Sequence, residues 1–299
     1  MTTETVHTAP QQTLIRSVRK TMSPRKRALR LLKHLVIIGF GILMIYPLLW
    51  MVVSSLRSEE EIFQAPGLLL KTLQTSNYVD GWTGLQHPFS HYLINSALIA
   101  LGCIVGNLVS CSMAAFAFAR LRFRGKKIFF AIMLLTIMLP IHVVIVPQYI
   151  MFSQLGWINT FWPLIVPKLL ATDAFFVFLM IQFIRGIPRE LDEAARLDGC
   201  GYFRTFWSVI LPLMKPALVT TTIFTFIWTW NDFFGQLIYL TAPEMYSASV
   251  ALRSFVDATG SSAWGPLFAM SVLTLLPVFL VFLVGQRYLI QGIATTGGK

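Results

Sequence analysis

The chain has 299 residues, of which 56% are hydrophobic and only 12% charged, and its mean hydropathy is +0.68. Soluble domains carry about 25% charged residues, so the composition excludes an ordinary water-soluble domain and points to the bilayer as principal solvent. The net charge of +11 would suit nucleic acid, but the basic residues gather beside apolar runs instead of forming one face, which argues against that class as well.

In chain order, residues 1–30 are polar and basic with no apolar period, an arm expected to lack fixed structure by itself. Leu29 to Lys33 are placed to lie on anionic lipid. The apolar run from Leu35 to Val53 exceeds the roughly 7–15 residues of a signal-peptide core and is read as a retained first span. Six stretches have the roughly 20 apolar residues that cross a bilayer: 35–55, 94–119, 128–151, 163–184, 211–232 and 267–290. Lipid offers backbone groups no hydrogen-bond partner, so the spans are expected to be helices. The fold class is therefore an all-α membrane protein of six transmembrane helices, with the arm at 1–30 and one membrane domain over 31–299.

Of the 24 basic residues, all but Arg57, Lys71, Lys168 and Arg253 fall on one side of this arrangement. The positive-inside rule then places both termini in the cytoplasm, in agreement with the even number of spans. Segments 57–92 and 233–266 face outside and have room for small helices. Cys103 and Cys111 share one span about 12 Å apart, too far to bridge, and Cys200 lies in a polar loop. No disulfide or metal framework follows.

The loop between spans four and five is the unusual one. Pro188 suits the first turn of a helix. Glu190, Asp192 and Glu193 favour its positive end, Asp192 and Arg196 are spaced as an i,i+4 pair, and Gly199 is a natural stop. A helix over 188–198 would be about 16 Å long, with Leu191, Ala194, Ala195 and Leu197 forming a shallow apolar patch. Tyr202, Phe203, Phe206 and Trp207 follow as an aromatic anchor, and Leu211-Pro212 leads into span five. From the residues alone this is either a docking helix for a cytosolic partner or a helix lying on the membrane surface.

Glu193-Ala194-Ala195, Asp198-Gly199, Val209 and Leu211-Pro212 resemble the cytoplasmic "EAA" signature of ABC importer permeases, with Val209 where the family favours Ile and Cys200 where Ala is common. Asn95-Ser96, the run Ala114 to Arg120, Arg122 to Lys126, Leu155 to Thr160, Trp230-Asn231-Asp232 and the tail from Gly292 to Lys299 resemble the carbohydrate-uptake branch. The resemblance covers roughly residues 30–299. It implies a subunit of the bacterial inner membrane that pairs with a second homologous permease, two ATPase subunits carrying ATP and Mg, and an extracellular solute-binding protein. Glu193, Ala194, Ala195, Asp198, Gly199, Leu211 and Pro212 would then couple the chain to the ATPases, and the tail Thr295, Thr296, Gly297, Gly298 and Lys299 would touch them. No cofactor is expected in this chain, and none of its residues is expected to be catalytic: Gly125-Lys126-Lys127 lacks the leading Gly and the Ser/Thr of a phosphate loop. ATP closure on the partners would drive alternating access.

Polar residues inside spans are functional suspects. Asp173 follows Pro163 and Pro167, and Thr172 or Asp173 is positioned to cap a half-helix starting at Ala174, as in transporter sites built from helix ends. His142 follows Pro140 in span three. Trp228, Asn231 and Asp232 stand in an aromatic stretch whose faces and amide groups suit a sugar ring. For each of these a packing or capping role is the competing reading. The rivals are an importer permease for a polyol or glycerol phosphate, a proton-coupled secondary transporter using Asp173, and an intramembrane enzyme. The enzyme reading lacks a nucleophile motif, because Asp173 and His142 stand isolated in the sequence.

Overall fold

The computed structural model describes residues 24–64, 67–256 and 262–294. Among them every regular element is a helix: α1 Pro24–Ser54, α2 Glu59–Gln64, α3 Ser76–Thr83, α4 Phe89–Arg120, α5 Lys126–Met138, α6 Ile141–Gln154, α7 Trp162–Leu169, α8 Ala174–Gly186, α9 Glu190–Leu197, α10 Tyr202–Thr205, α11 Leu211–Leu213, α12 Lys215–Trp230, α13 Phe234–Tyr239, α14 Ala248–Leu252 and α15 Trp264–Ala294. A five-residue π turn, Phe206–Ile210, joins α10 to α11. The chain divides into two compact units, Met1–Leu49 and Trp50–Lys299. The described part of the first is the leading stretch of α1; the second holds the core and both candidate sites.

Four helical stretches are long and apolar enough to cross a membrane: Ala28–Ser54, Phe89–Arg120, Trp162–Gly186 and Trp264–Arg287. Two bent pairs, Lys126–Met138 with His142–Gln154 and Tyr202–Leu213 with Lys215–Trp230, raise the number to six if each pair is one span. The expected segments are thus found, but two differ in form. Span three is not one rod over 128–151, because α5 and α6 meet at 104°. Pro140 lacks an N–H to continue the ladder, and it holds Leu139 extended, at φ −76° and ψ 121°. Span five starts at Lys215, not Leu211. Leu211-Pro212 belong to the preceding segment, set at 76° to α12 across Met214.

Helix α4 is the hub, with α7, α8, α12 and α14 packed around it. Its buried residues Tyr92, Ser96, Ile99, Cys103, Asn107, Cys111, Ala115 and Ala119 recur every three or four positions, the period of one helix face. The apolar core at one end joins Cys111, Ala115 and Phe116 of α4 to Phe176, Met180 and Ile184 of α8 and to Phe206, Ile210 and Met214. At the other end, Phe89 and Tyr92 pack with Ala248, Ala251, Ala269 and Met270. Between these cores α7 closes onto α4 over Gly102 and Gly106. A Cβ on Gly106 would lie 3.0 Å from the Lys168 carbonyl carbon. The Gly-x-x-x-Gly spacing lets two backbones approach within a membrane helix pair.

The small helices after span one are clamped by polar groups. Arg57, fully buried, donates to the carbonyls of Gly67 and Leu69 at 2.6 and 2.8 Å and stands 3.6 Å from Glu61. Glu61 accepts from the Lys71 backbone N–H at 2.8 Å and from the Thr72 hydroxyl at 3.0 Å. The Lys71 N–H, ahead of the other partners, holds the Glu61 carboxyl below its ordinary range against the opposing effect of burial.

Candidate functional site

Two places carry the residues singled out by sequence. The first is the break in span four. Helix α7 ends at Leu169, Ala171 takes a left-handed φ of 55°, and α8 begins at Ala174 with Asp173 at its N-cap position. The half-helix starts where the sequence placed it, but the capping chemistry differs. The Asp173 side chain does not cap α8. Its two oxygens accept from Lys168 Nζ at 2.8 and 2.9 Å, and Oδ2 also accepts from Asn107 Nδ2 at 2.7 Å. Asn107 Nδ2 donates in turn to the Thr225 hydroxyl at 3.1 Å, and Thr172 bonds to the Pro167 carbonyl at 2.9 Å. Asp173 is therefore not isolated, as the sequence suggested. It is the centre of a polar cluster drawn from α4, α7 and α12.

Beside this cluster lies a cavity of about 720 Å³, lined among others by Gln148, Lys168, Asp173, Trp228, Thr229, Asn231, Asp232, Gln236 and Tyr239. Its size falls within the range of small-molecule sites. Four of the five residues proposed for a substrate path thus converge. His142 is the exception: it does not line the cavity, and its ring rests on Phe234 with centroids 5.5 Å apart. Trp228 presents one side to the cavity and is backed by Phe175, Phe176 and Phe224, each 5.2–5.7 Å away. Asn231 Nδ2 bonds to the Ile227 carbonyl at 2.8 Å, and Asp232 Oδ1 accepts the Gly235 N–H at 2.9 Å. Trp230, their neighbour, is buried and donates to the Thr274 carbonyl at 3.0 Å. Asn107, Gln148 and Gln236 were missed. Each is a lone amide in an apolar stretch, the same signal that singled out Asp173.

The second place is the loop after α8. Helix α9 covers Glu190–Leu197, about 12 Å of helix. Pro188 precedes the Arg189 N-cap instead of occupying the first turn. Gly199, at φ 78°, ends the helix: its N–H bonds to the Arg196 carbonyl and the Cys200 N–H to that of Ala195, a Schellman pair that only a residue tolerant of positive φ allows. The expected Asp192–Arg196 pair does not form. Asp192, buried, pairs with Arg120 at 2.8 Å, and Arg120 also donates to the Ile187 carbonyl at 2.7 Å. The Arg196 guanidinium sits over the Tyr202 ring at 5.1 Å. Ala195 faces inward, while Glu193, Ala194, Leu197 and Asp198 face outward, Leu197 with 89% of its surface exposed. The tail Thr295 to Lys299 lies outside the described residues, as do the first 23 residues of the arm.

Comparison with known proteins adds to this geometry. The family described as "Binding-protein-dependent transport system inner membrane component" matches residues 106–295. A probable ABC transporter permease of Bacillus subtilis, YurM, is 34% identical over 255 residues, covering 85% of this chain and 83% of its own. The sn-glycerol-3-phosphate transport system permease UgpE of Yersinia pestis is 30% identical over 284 residues, covering 91% of this chain and 98% of its own. The diacetylchitobiose uptake permease NgcG of Streptomyces coelicolor is 29% identical over 257 residues, or 86% and 84% of the two chains. Among solved structures, a bacterial ABC transporter involved in import of the acidic polysaccharide alginate superposes with TM-score 0.79 at 24% identity, covering 90% of this chain and 99% of that one, which shows the same fold.

Proposed function

We propose that this chain, which belongs to the binding-protein-dependent transport system inner membrane components, passes a neutral, hydroxyl-rich solute of the sugar class. It is a multi-pass ABC importer permease of the inner membrane. Such a permease works with ATPase and binding-protein partners. We place ATP hydrolysis on two ATPase subunits, a second homologous permease beside this one, and both termini in the cytoplasm.

One observation carries the substrate class. Among the described residues the only cation lining the cavity, Lys168, is held by Asp173, and the cavity also contains Asp232 and the aromatic faces of Trp228 and Tyr239. A phosphate would meet no free cation there. A sugar would find ring faces for its C–H surface and amide and hydroxyl groups for its rim. The diacetylchitobiose relative supports this reading. The glycerol-phosphate relative favours a second one, an anionic solute that draws Lys168 away from Asp173.

Coupling is assigned to α9. Arg120 fixes the helix from within, and Glu193, Ala194, Leu197 and Asp198 present an outward face about 12 Å long to an ATPase cleft. Closure of that cleft would move α9 as a rigid piece and tip the bundle between inward and outward states. The test is ATP hydrolysis by the complex reconstituted in lipid with its binding protein, across neutral sugars, polyols and sn-glycerol 3-phosphate. Stimulation by a neutral sugar or oligosaccharide supports the proposal. Stimulation by glycerol phosphate alone replaces the substrate class while keeping the importer.

A further inference from the structure

At the basic end of the bundle, the turn between α4 and α5 borders an open surface cavity of about 520 Å³, lined by Arg122, Phe123, Gly125, Lys126, Lys127 and Ile128, all but Lys126 exposed. Lys126 is anchored by its bond to the Leu121 carbonyl at 2.9 Å. The end of α8 stands beside it: Arg185 lies over the Phe130 ring at 5.7 Å, and Arg185, Arg189 and Arg122 are within electrostatic reach of Lys126. Arg122 and Lys127 are exposed and form no ion pair among the described residues. Among the described residues no carboxylate lines the cavity. Like charges repel, so this gathering is stable only with an anion near it or with water screening it. Just inside the turn, Ile128 is 66% and Phe129 57% exposed, and Phe123 is 40% exposed.

We propose that this cavity binds the phosphate headgroup of an anionic phospholipid, with Arg122, Lys126 and Lys127 around the phosphate and the acyl chains along Phe123, Ile128 and Phe129. The turn joins two membrane segments, so it lies where headgroups are. Cationic side chains above an apolar strip match an anionic head on a hydrocarbon tail, whereas a free phosphate would use only the upper half. Clustered basic residues at the membrane boundary are the feature that recruits such lipids.

The test compares phosphatidylglycerol retention on the purified complex, counted by native mass spectrometry, with phosphatidylcholine, inorganic phosphate and glycerol phosphate as separate arms. The Arg122→Gln/Lys127→Gln variant should retain about tenfold less phosphatidylglycerol. Arg124→Gln removes a charge from the same turn without touching the cavity and should change retention by less than about twofold. Lys127→Arg should keep the lipid. Equal losses in the cavity variant and in Arg124→Gln would mean bulk surface charge and overturn the site. Full displacement by inorganic phosphate at matched concentration would overturn the lipid assignment. A lower melting temperature of the double variant in pure phosphatidylcholine would make the effect structural and overturn it too.

Discussion

Two interruptions of apolar helix, the break in span four and the loop after α8, are each held by a carboxylate and a cation, and they are held in opposite senses. At α9 the pair Arg120–Asp192 is turned inward with 6% and 11% of the two side chains exposed, and the helix face above it is left bare. At the break, Lys168 and Asp173 keep 30% and 23% of their surface and border a cavity. The first pair fixes the element to which the proposed coupling role is given. The second keeps polar groups available within the membrane domain while the helix ladder is interrupted. Buried pairs contribute little net stability but cost much when broken, so each pair's value lies in the conformation it specifies.

The largest effect is expected at the more buried pair. Asp192→Ala strands the Arg120 guanidinium, and loss of one partner of a buried pair costs about 3–5 kcal/mol. The complex should melt well below wild type. Whatever folds should hydrolyse ATP without moving solute, because α9 is no longer tied to span two. Coupled transport at wild-type stoichiometry in Asp192→Ala would remove the mechanical role given to this pair.

At the break the expected cost is smaller. Asp173→Ala leaves Lys168 without its acceptor and Asn107 with only the Thr225 hydroxyl, but the Lys168–Asp173 pair is 30% and 23% exposed, so about 2–3 kcal/mol is expected, below the range for a dry pair. ATP hydrolysis should lose its response to solute while basal hydrolysis remains. Asp173→Asn keeps an acceptor for Asn107 and frees Lys168, so it should recover most of the stability while admitting anionic solutes that the proposed function has the wild type reject. If uptake in Asp173→Asn retained the wild-type preference for neutral solutes, charge neutralisation at the cavity would not be the selecting feature.

Below these in size is the glycine seat that lets α7 reach α4. Gly106→Ala puts a methyl 3.0 Å from the Lys168 carbonyl carbon and 3.1 Å from the Leu169 nitrogen, backbone atoms that cannot swing aside as a side-chain tip can. Overpacking of this kind costs about 1–3 kcal/mol, and the low end fits a single methyl. The shift should reach the cavity, since Lys168 is the residue displaced: solute stimulation should weaken more than melting temperature falls. Equal melting and unchanged stimulation would show that α7 can yield here.

The same contrast explains what was legible in the sequence. The long apolar runs, the helical class, the stop at Gly199 and the half-helix start at Ala174 all follow from local rules, and the structure contains them. Tertiary pairings were not legible. Asp192 was matched to Arg196 because four residues make one helical turn, yet its partner is Arg120 on another span. Lys168 and Asp173 are five apart, a spacing no continuous helix brings together; the left-handed Ala171 does. Pro140 was visible, but a proline fixes where a helix breaks and leaves the angle to packing, so the 104° turn of span three was not. His142 was singled out as a lone polar side chain in an apolar run, and depth in sequence did not tell which way that side chain faces.

A third carboxylate sharpens the comparison at the smallest scale. Glu61 has a cation nearby, Arg57 at 3.6 Å, but its principal partners are the Lys71 N–H and the Thr72 hydroxyl. These favour the ionised form, and the folded state holds the group below its ordinary value of 4.5. A group lowered on folding contributes stability above its unfolded value and loses it as pH falls through the folded one. The contribution should thus be complete at neutral pH and fade below about pH 4.5. Glu61→Gln should lower the melting temperature slightly at pH 7, with the difference from wild type shrinking toward pH 3. Melting curves of Glu61→Gln and wild type from pH 7 to about pH 3 check this: a difference that stayed constant over that range would mean that the ionised Glu61 carboxylate contributes nothing to the clamp.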